Sequence, residues 1–177
     1  MEESACKWKF LQQSNKVNAM TNWADSFTAV GEVTNAAELN YVLDKLREEK
    51  LESLNDLYFF KDDLKPVWED EANLEGGRLV FEINHKNLKT HDLFDKSAAL
   101  CFSGLFNSIN GLVFNEKERS NRFCIWVGGN NELEDIEAAW KEVLESAFAR
   151  FIYIPHKKSN EGRFGKKRNG GFGKKNQ

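Results

Sequence analysis

Arg78 to Asn84 alternates strictly, with Leu79, Phe81 and Ile83 set against Arg78, Val80 and Glu82. That is the period-2 pattern of a strand covered on one face. Arg122 to Gly128 repeats it: Phe123, Ile125 and Val127 share one side, and Arg122, Cys124 and Trp126 share the other. A guanidinium and an indole therefore stand together on the side away from the apolar residues. Gly111 to Lys117 precedes this strand, and Glu118-Arg119-Ser120-Asn121 reads as the hairpin connection between the two. Trp8, Phe10 and Leu11 begin a short apolar segment that ends in the polar run Gln12 to Asn18. Trp23 to Val33 alternates less regularly and predicts a strand with Phe27, Ala29, Gly31 and Val33 on one side. Leu57 to Phe60 and Phe151 to Ile154 read as further strands, the last stopped by Pro155.

Between the strands the period changes. Asn35 with Glu38 resembles a capping box, and Leu39, Val42, Leu43 and Leu46 recur at helical spacing, which predicts a helix over roughly 36–49. His91 to Phe106 carries Phe94, Ala98, Cys101 and Leu105 on one helical face, with Gly104 weakening its end. Asn131, with Glu134 three residues on, is expected to cap the longest helix. Its stripe is Leu133, Ile136, Trp140, Val143, Leu144, Ala147 and Phe148, with acids in the first turn and Arg150 in the last. Trp140 is expected in the core. Interspersed strands and helices, with the strands alternating as one-sided sheets do, predict an α+β fold. The expected form is a curved, mostly antiparallel sheet with about three helices on its convex face and the concave side open.

A chain of 177 residues suits one domain plus a tail. Residues 1–155 are expected to form the domain, with 1–6 disordered, and residues 156–177 a disordered basic tail rich in Gly, Phe and Lys. The tail holds eight Lys/Arg against one acid, Glu161. Taking these from the chain's 25 basic and 28 acidic residues leaves 17 and 27, so the body carries −10 and the tail +7. So acidic a body will not hold nucleic acid by charge alone, and any affinity must be local and shaped. Cys6, Cys101 and Cys124 lack metal-type spacing and read as free thiols of a reducing compartment. No apolar run reaches 18 residues and the acidic start has no apolar signal core, so a cytoplasmic or nuclear protein without a membrane segment is expected.

The chemistry concentrates in Pro66-Val67-Trp68-Glu69-Asp70-Glu71, followed by Gly76-Gly77-Arg78. Pro66 and the glycines mark a loop, and three acids in a row keep it in water. An indole beside a carboxylate suits a flat cationic ligand: the ring face attracts delocalised positive charge and the carboxylate accepts two N–H bonds from the ligand's edge. N7-methylguanine is such a ligand. A surface turn with a half-buried indole is the alternative that these two residues alone leave open.

The run Phe60-Lys61-Asp62, Pro66-x-Trp68-Glu69-Asp70-Glu71-x-Asn73 and Gly76-Gly77-Arg78 resembles the signature of the cap-binding translation initiation factor 4E family. Trp8, Trp23, Trp126 and Trp140 extend the likeness over roughly residues 7–155. The resemblance implies that Trp23 and Trp68 sandwich the methylated base, that Glu69 accepts its N1–H and N2–H, and that Trp126 touches the N7-methyl group. It puts Lys117 where the family has its main phosphate-binding arginine and Arg122 where it has a lysine. Arg78 would reach the phosphates through water, with Asn115 in support, and Asp56 would orient residue 117. Arg119 shares that turn without an assigned role. No cofactor and no metal are implied.

On the face where the family docks the scaffold factor 4G and the inhibitory 4E-binding proteins, this chain departs. Asn40 with Tyr41 stands in place of a tryptophan, Lys96-Ser97 in place of a Leu–Glu pair, and Ala36 in place of a valine. A monomer that binds capped mRNA and meets its partner through an altered convex surface is therefore expected. Two other readings stand beside it. One is a cap-binding repressor, which shares the ligand but not the job. The other is an enzyme that holds Mg²⁺ on Glu69-Asp70-Glu71 to hydrolyse caps, although the scattered His85, His91 and His156 offer no nucleophile or metal spacing. The tail's interleaved Phe and Lys could add a nonspecific RNA contact.

Overall fold

The computed structural model describes residues 6–13, 26–48, 56–84, 89–117, 119–145 and 150–156. The chain runs β1 (Trp8–Gln13), β2 (Phe27–Val33), α1 (Ala36–Glu48), β3 (Asp56–Lys61), β4 (Gly77–Asn84), α2 (Thr90–Phe102), β5 (Ile109–Glu116), β6 (Ser120–Val127), α3 (Leu133–Val143) and β7 (Ile152–Pro155). The strands form a seven-stranded sheet in the order β2-β1-β3-β5-β6-β4-β7, with every pairing antiparallel. This is the expected α+β architecture. The three helices cover one face.

The two faces have separate apolar clusters. Against the helices lie Phe10, Phe59, Leu112, Phe114, Phe123 and Ile125, packed on Leu39, Leu43, Phe94, Ile136 and Trp140. On the open face a smaller cluster joins Leu11, Tyr58, Phe60, Val80, Val113, Cys124 and Trp126. The alternation read in β4 and β6 is the observed one: Leu79 and Phe81, like Phe123 and Ile125, face the helices, while Val80, Cys124 and Trp126 face away.

Four expectations are corrected. In β2 the parity breaks, because Phe10 pairs with Gly31 but Leu11 pairs with Ala29, leaving Val30 as an extra residue. Such a bulge turns the side chains on either side of it to opposite faces. Val33 therefore joins the helix-side core while Phe27 packs on the open-face cluster. Helix α2 stops at Phe102, the chain turns at Gly104 (φ 70°), and Leu105 is exposed rather than on an apolar stripe. Helix α3 is shorter than α1 and α2: it ends at Val143, Glu145 takes a positive φ of 53°, and the basic residue of its last turn is Lys141. Its N-cap is Glu132, with no side-chain capping bond, rather than Asn131. Ala147 and Phe148 lie outside the described residues. The cap of α1, by contrast, is as read: Glu38 N–H donates to Asn35 Oδ1 at 3.0 Å, and the Glu38 carboxylate accepts from Thr34 N–H at 2.7 Å.

Ser97 is the fourth. It was expected on the partner face but is fully buried, four residues after Leu93 on the inward stripe of α2. Its hydroxyl donates to Leu93 O at 2.7 Å and accepts from Trp140 Nε1–H at 2.8 Å, so it satisfies the only polar atom of the core's largest side chain. Of the other four positions of that face, Ala36, Asn40 and Tyr41 are exposed and Lys96 is half-buried.

Candidate functional site

Strand register places the open-face side chains in three rows across the sheet. The row nearest the tryptophan loop runs Phe60, Gly111, Trp126, Arg78 and Ile154. The middle row runs Leu11, Tyr58, Val113, Cys124, Val80 and Ile152. The far row is polar: Asp56, Asn115, Arg122 and Glu82. A slot of about 720 Å³ lies over these rows, walled by Lys65 to Asp70 and floored by Tyr58, Arg78, Val113, Asn115, Cys124 and Trp126. It is apolar below, with charged groups at its edges. An apolar floor with a few charged and polar groups around it is the composition of a small-molecule site.

Within the wall, the acids divide the work. Asp70 turns inward: its carboxylate accepts from Lys65 N–H at 3.0 Å and Ala72 N–H at 3.1 Å, bracing the loop. Glu69 and Glu71 are exposed. Trp68, next to Glu69, is 54% exposed, which is extreme for an indole and leaves its face open to a ligand. Asn73, absent from the roles the sequence assigned, is the hub beneath. Its amide donates to Lys65 O at 3.1 Å and Val67 O at 2.9 Å, and its Oδ1 accepts from Asn110 Nδ2 at 3.0 Å. Asn110 is itself an extra residue, since Ile109 pairs with Val127 and Gly111 with Trp126. A bulge in β5 thus supplies the side chain that ties the loop to the sheet.

Trp126 is only 7% exposed. Phe60 meets it edge-on at 5.5 Å and 73°, and His156 lies 4.3 Å away at 51°. Phe60 occupies the space a side chain at 111 would need, since a Cβ there would stand 2.5 Å from its ring. His156 was assigned to the tail, but it belongs to the folded body: its backbone N–H donates to Gly76 O at 3.0 Å and its Nδ1–H to Asn73 O, 2.8 Å away. Burial holds its imidazole below the usual range, so the neutral form is favoured, and protonation would place a second N–H on Nε2, which is buried and has no partner among the described residues. Burial likewise pushes the Cys124 thiol up to about 11, so the slot floor carries no thiolate at neutral pH.

The structure therefore brings Trp68, Glu69, Arg78, Asn115 and Trp126 to one slot. Trp23 lies outside the described residues. Lys117 and Arg119 are exposed at the hairpin end, beyond the slot wall. Arg122 stands next to Asn115 but is engaged across the strands, its Nε–H donating to Glu82 Oε1 at 2.5 Å. Asp56 faces Asn115 across the β3–β5 pair rather than Lys117. Lys65 and Tyr58 are slot residues that the sequence did not single out. The first lacked a motif, and the second reads from spacing as one more apolar strand position.

The chain is 25% identical to the Candida glabrata eukaryotic translation initiation factor 4E over 163 residues, covering 88% of this chain and 78% of that protein. It is 24% identical to the Saccharomyces cerevisiae factor over 162 residues, covering 87% and 76%. Its fold matches Ascaris suum initiation factor 4E-3 in complex with the m2,2,7G cap, with TM-score 0.69 and 21% identity over 88% of this chain and 92% of that one. It also matches Caenorhabditis elegans initiation factor 4E-3 in complex with the 4E-binding protein Mextli, with TM-score 0.72 and 20% identity over 92% and 97%. Residues 4–170 match the family model for eukaryotic initiation factor 4E, and the chain belongs to that family.

Proposed function

We propose that this protein binds the 7-methylguanosine 5′ cap of mRNA in the open-face slot and recruits mRNA for translation initiation in the cytoplasm. The observation that carries this is the pairing of an exposed Trp68 with an exposed Glu69 on one rigid wall, above a floor of Trp126, Arg78 and Asn115. The N7-methyl group makes guanine cationic, so stacking on indole gains a cation–π component that plain guanine lacks. Trp68 would supply one face of the stack and Trp23 the other. Glu69 would accept N1–H and N2–H in charge-assisted bonds worth about 1.5–3 kcal/mol. With association costs deducted, an affinity of about −8 kcal/mol, or low micromolar, is expected. The role is binding rather than catalysis, since Asp70 is committed to the loop's own N–H groups and does not act with Glu69 and Glu71 as a metal-holding set. Tryptophan fluorescence on titration with 7-methyl-GTP and GTP tests the reading. Strong quenching by the first and little by the second is expected; equal response to both ends it.

A specific observation keeps the repressor reading in view. The groove between α1 and α2 is lined by Asn40, Leu43, Asp44, Arg47, Asp95, Lys96 and Ala99, and Arg47 pairs with Asp95 across it. Lys96 is held by Glu145 at 2.9 Å and Asp92 at 3.4 Å. An apolar partner helix laid here would have to desolvate these ions, which costs several kcal/mol unless the partner re-pairs them. A peptide carrying the scaffold's usual helical motif is therefore expected to bind more weakly than nanomolar, as read by calorimetry. Nanomolar binding would restore the ordinary partner mode.

A further inference from the structure

Tyr58 holds the centre of the slot floor. Its cross-strand neighbours are Leu11 on β1 and Val113 on β5, and Phe27 packs edge-on to its ring at 4.8 Å and 77°. The residue is 5% exposed, and that remainder lies in the slot beside Val113, Asn115 and Cys124. Everything about the ring is satisfied by packing, so phenylalanine would serve as well there. The hydroxyl is the unexplained part. No hydrogen bond to the described residues engages it, and it is not among the buried polar atoms without partners, so it opens into the slot, where a ligand can meet it.

Its neighbours say what the partner is. Tyr58's row lies between the row that holds Trp126 and Arg78, farther across the sheet on β6 and β4, and the row that holds Asn115, on the neighbouring β5, and Arg122. It stands between the place for a stacked base and the polar row where an anionic tail would run. Burial, reinforced by the charge of Asp56, drives the phenol's ionisation well above its ordinary range, so the group is a neutral donor at any working pH. A neutral O–H near Asn115, in the slot that Arg78 also lines, suits an anionic oxygen, which accepts from it more strongly than an uncharged one.

We infer that the Tyr58 hydroxyl donates a hydrogen bond to a phosphate oxygen of the bound nucleotide, making it a contact residue of the slot; this rests on the cap-binding reading above. The test compares wild type with Tyr58→Phe by calorimetry against 7-methyl-GTP and 7-methylguanosine, the second lacking phosphate. The variant is expected to lose roughly tenfold for 7-methyl-GTP and to bind the nucleoside as wild type does, with an unchanged unfolding midpoint. Unchanged binding of 7-methyl-GTP overturns the assignment, and so does an equal loss for the nucleoside, which would move the contact to sugar or base. If wild type itself does not prefer 7-methyl-GTP to GTP, the slot reading has failed instead, a result distinct from either.

Discussion

Replacing Trp68 by alanine is expected to weaken 7-methyl-GTP binding about 10- to 100-fold while leaving folding stability almost unchanged. The two halves of that expectation come from one fact, the 54% exposure of the indole. An exposed side chain contributes little packing, and its loss falls within about 0.5 kcal/mol for ordinary surface positions. The same exposed face contributes a base stack of about 1–3 kcal/mol, to which the methylated purine's charge adds. Calorimetry is the suitable measurement, since the substitution removes one of the fluorophores. GTP binding should change far less than 7-methyl-GTP binding. Trp126→Ala provides the contrast, because that residue is 7% exposed and held by Phe60 and His156, so binding and stability should fall together. A Trp68→Ala protein that binds 7-methyl-GTP as tightly as wild type would remove the slot from consideration.

Much of this site can be read in the sequence, and the reasons are local. Alternation in β6 puts Arg122, Cys124 and Trp126 on one side without any tertiary knowledge, because side-chain period is a property of the strand itself. The Asn35–Glu38 cap is legible for the same reason: donor and acceptor are three residues apart. What sequence cannot show is where one extra residue shifts a register. The bulges at Val30 and Asn110 depend on pairing with other strands, and each decides which side chains meet. The Val30 bulge brings Phe27 to Tyr58, and the Asn110 bulge aims an amide at Asn73. Ser97 shows the complementary limit. A serine reads as a surface residue unless the indole N–H it must satisfy, 43 positions away, is known to be there.

Asn73 carries the other large prediction, this time in stability. Asn73→Ala would take the side-chain donor from the carbonyls of Lys65 and Val67, leaving each with one backbone N–H (from Val67 and Asp70), and would remove one of the two acceptors of the Asn110 amide, which would retain only Ala72 O. Asn73 is fully buried, so water cannot readily replace it. Three hydrogen bonds are lost, each worth about 0.5–1.5 kcal/mol, giving roughly 2–4 kcal/mol in all. For a chain of this size that corresponds to a fall of about 10 °C in the unfolding midpoint. The bond from His156 to Asn73 O survives, because it uses the backbone carbonyl. The damage should therefore centre on the loop that carries Trp68 and Glu69, and cap-analogue affinity should drop even at temperatures where the variant is folded. Asn73→Asp sharpens the test. It keeps the acceptor for Asn110 but loses both donors and buries a carboxylate, so it should rescue nothing. Calorimetric unfolding of the three proteins, with 7-methyl-GTP titrations at 10 °C, reads both effects. If Asn73→Ala unfolds within 2 °C of wild type and binds normally, the loop is held by Asp70 and the proline alone, and Asn73 is not its anchor.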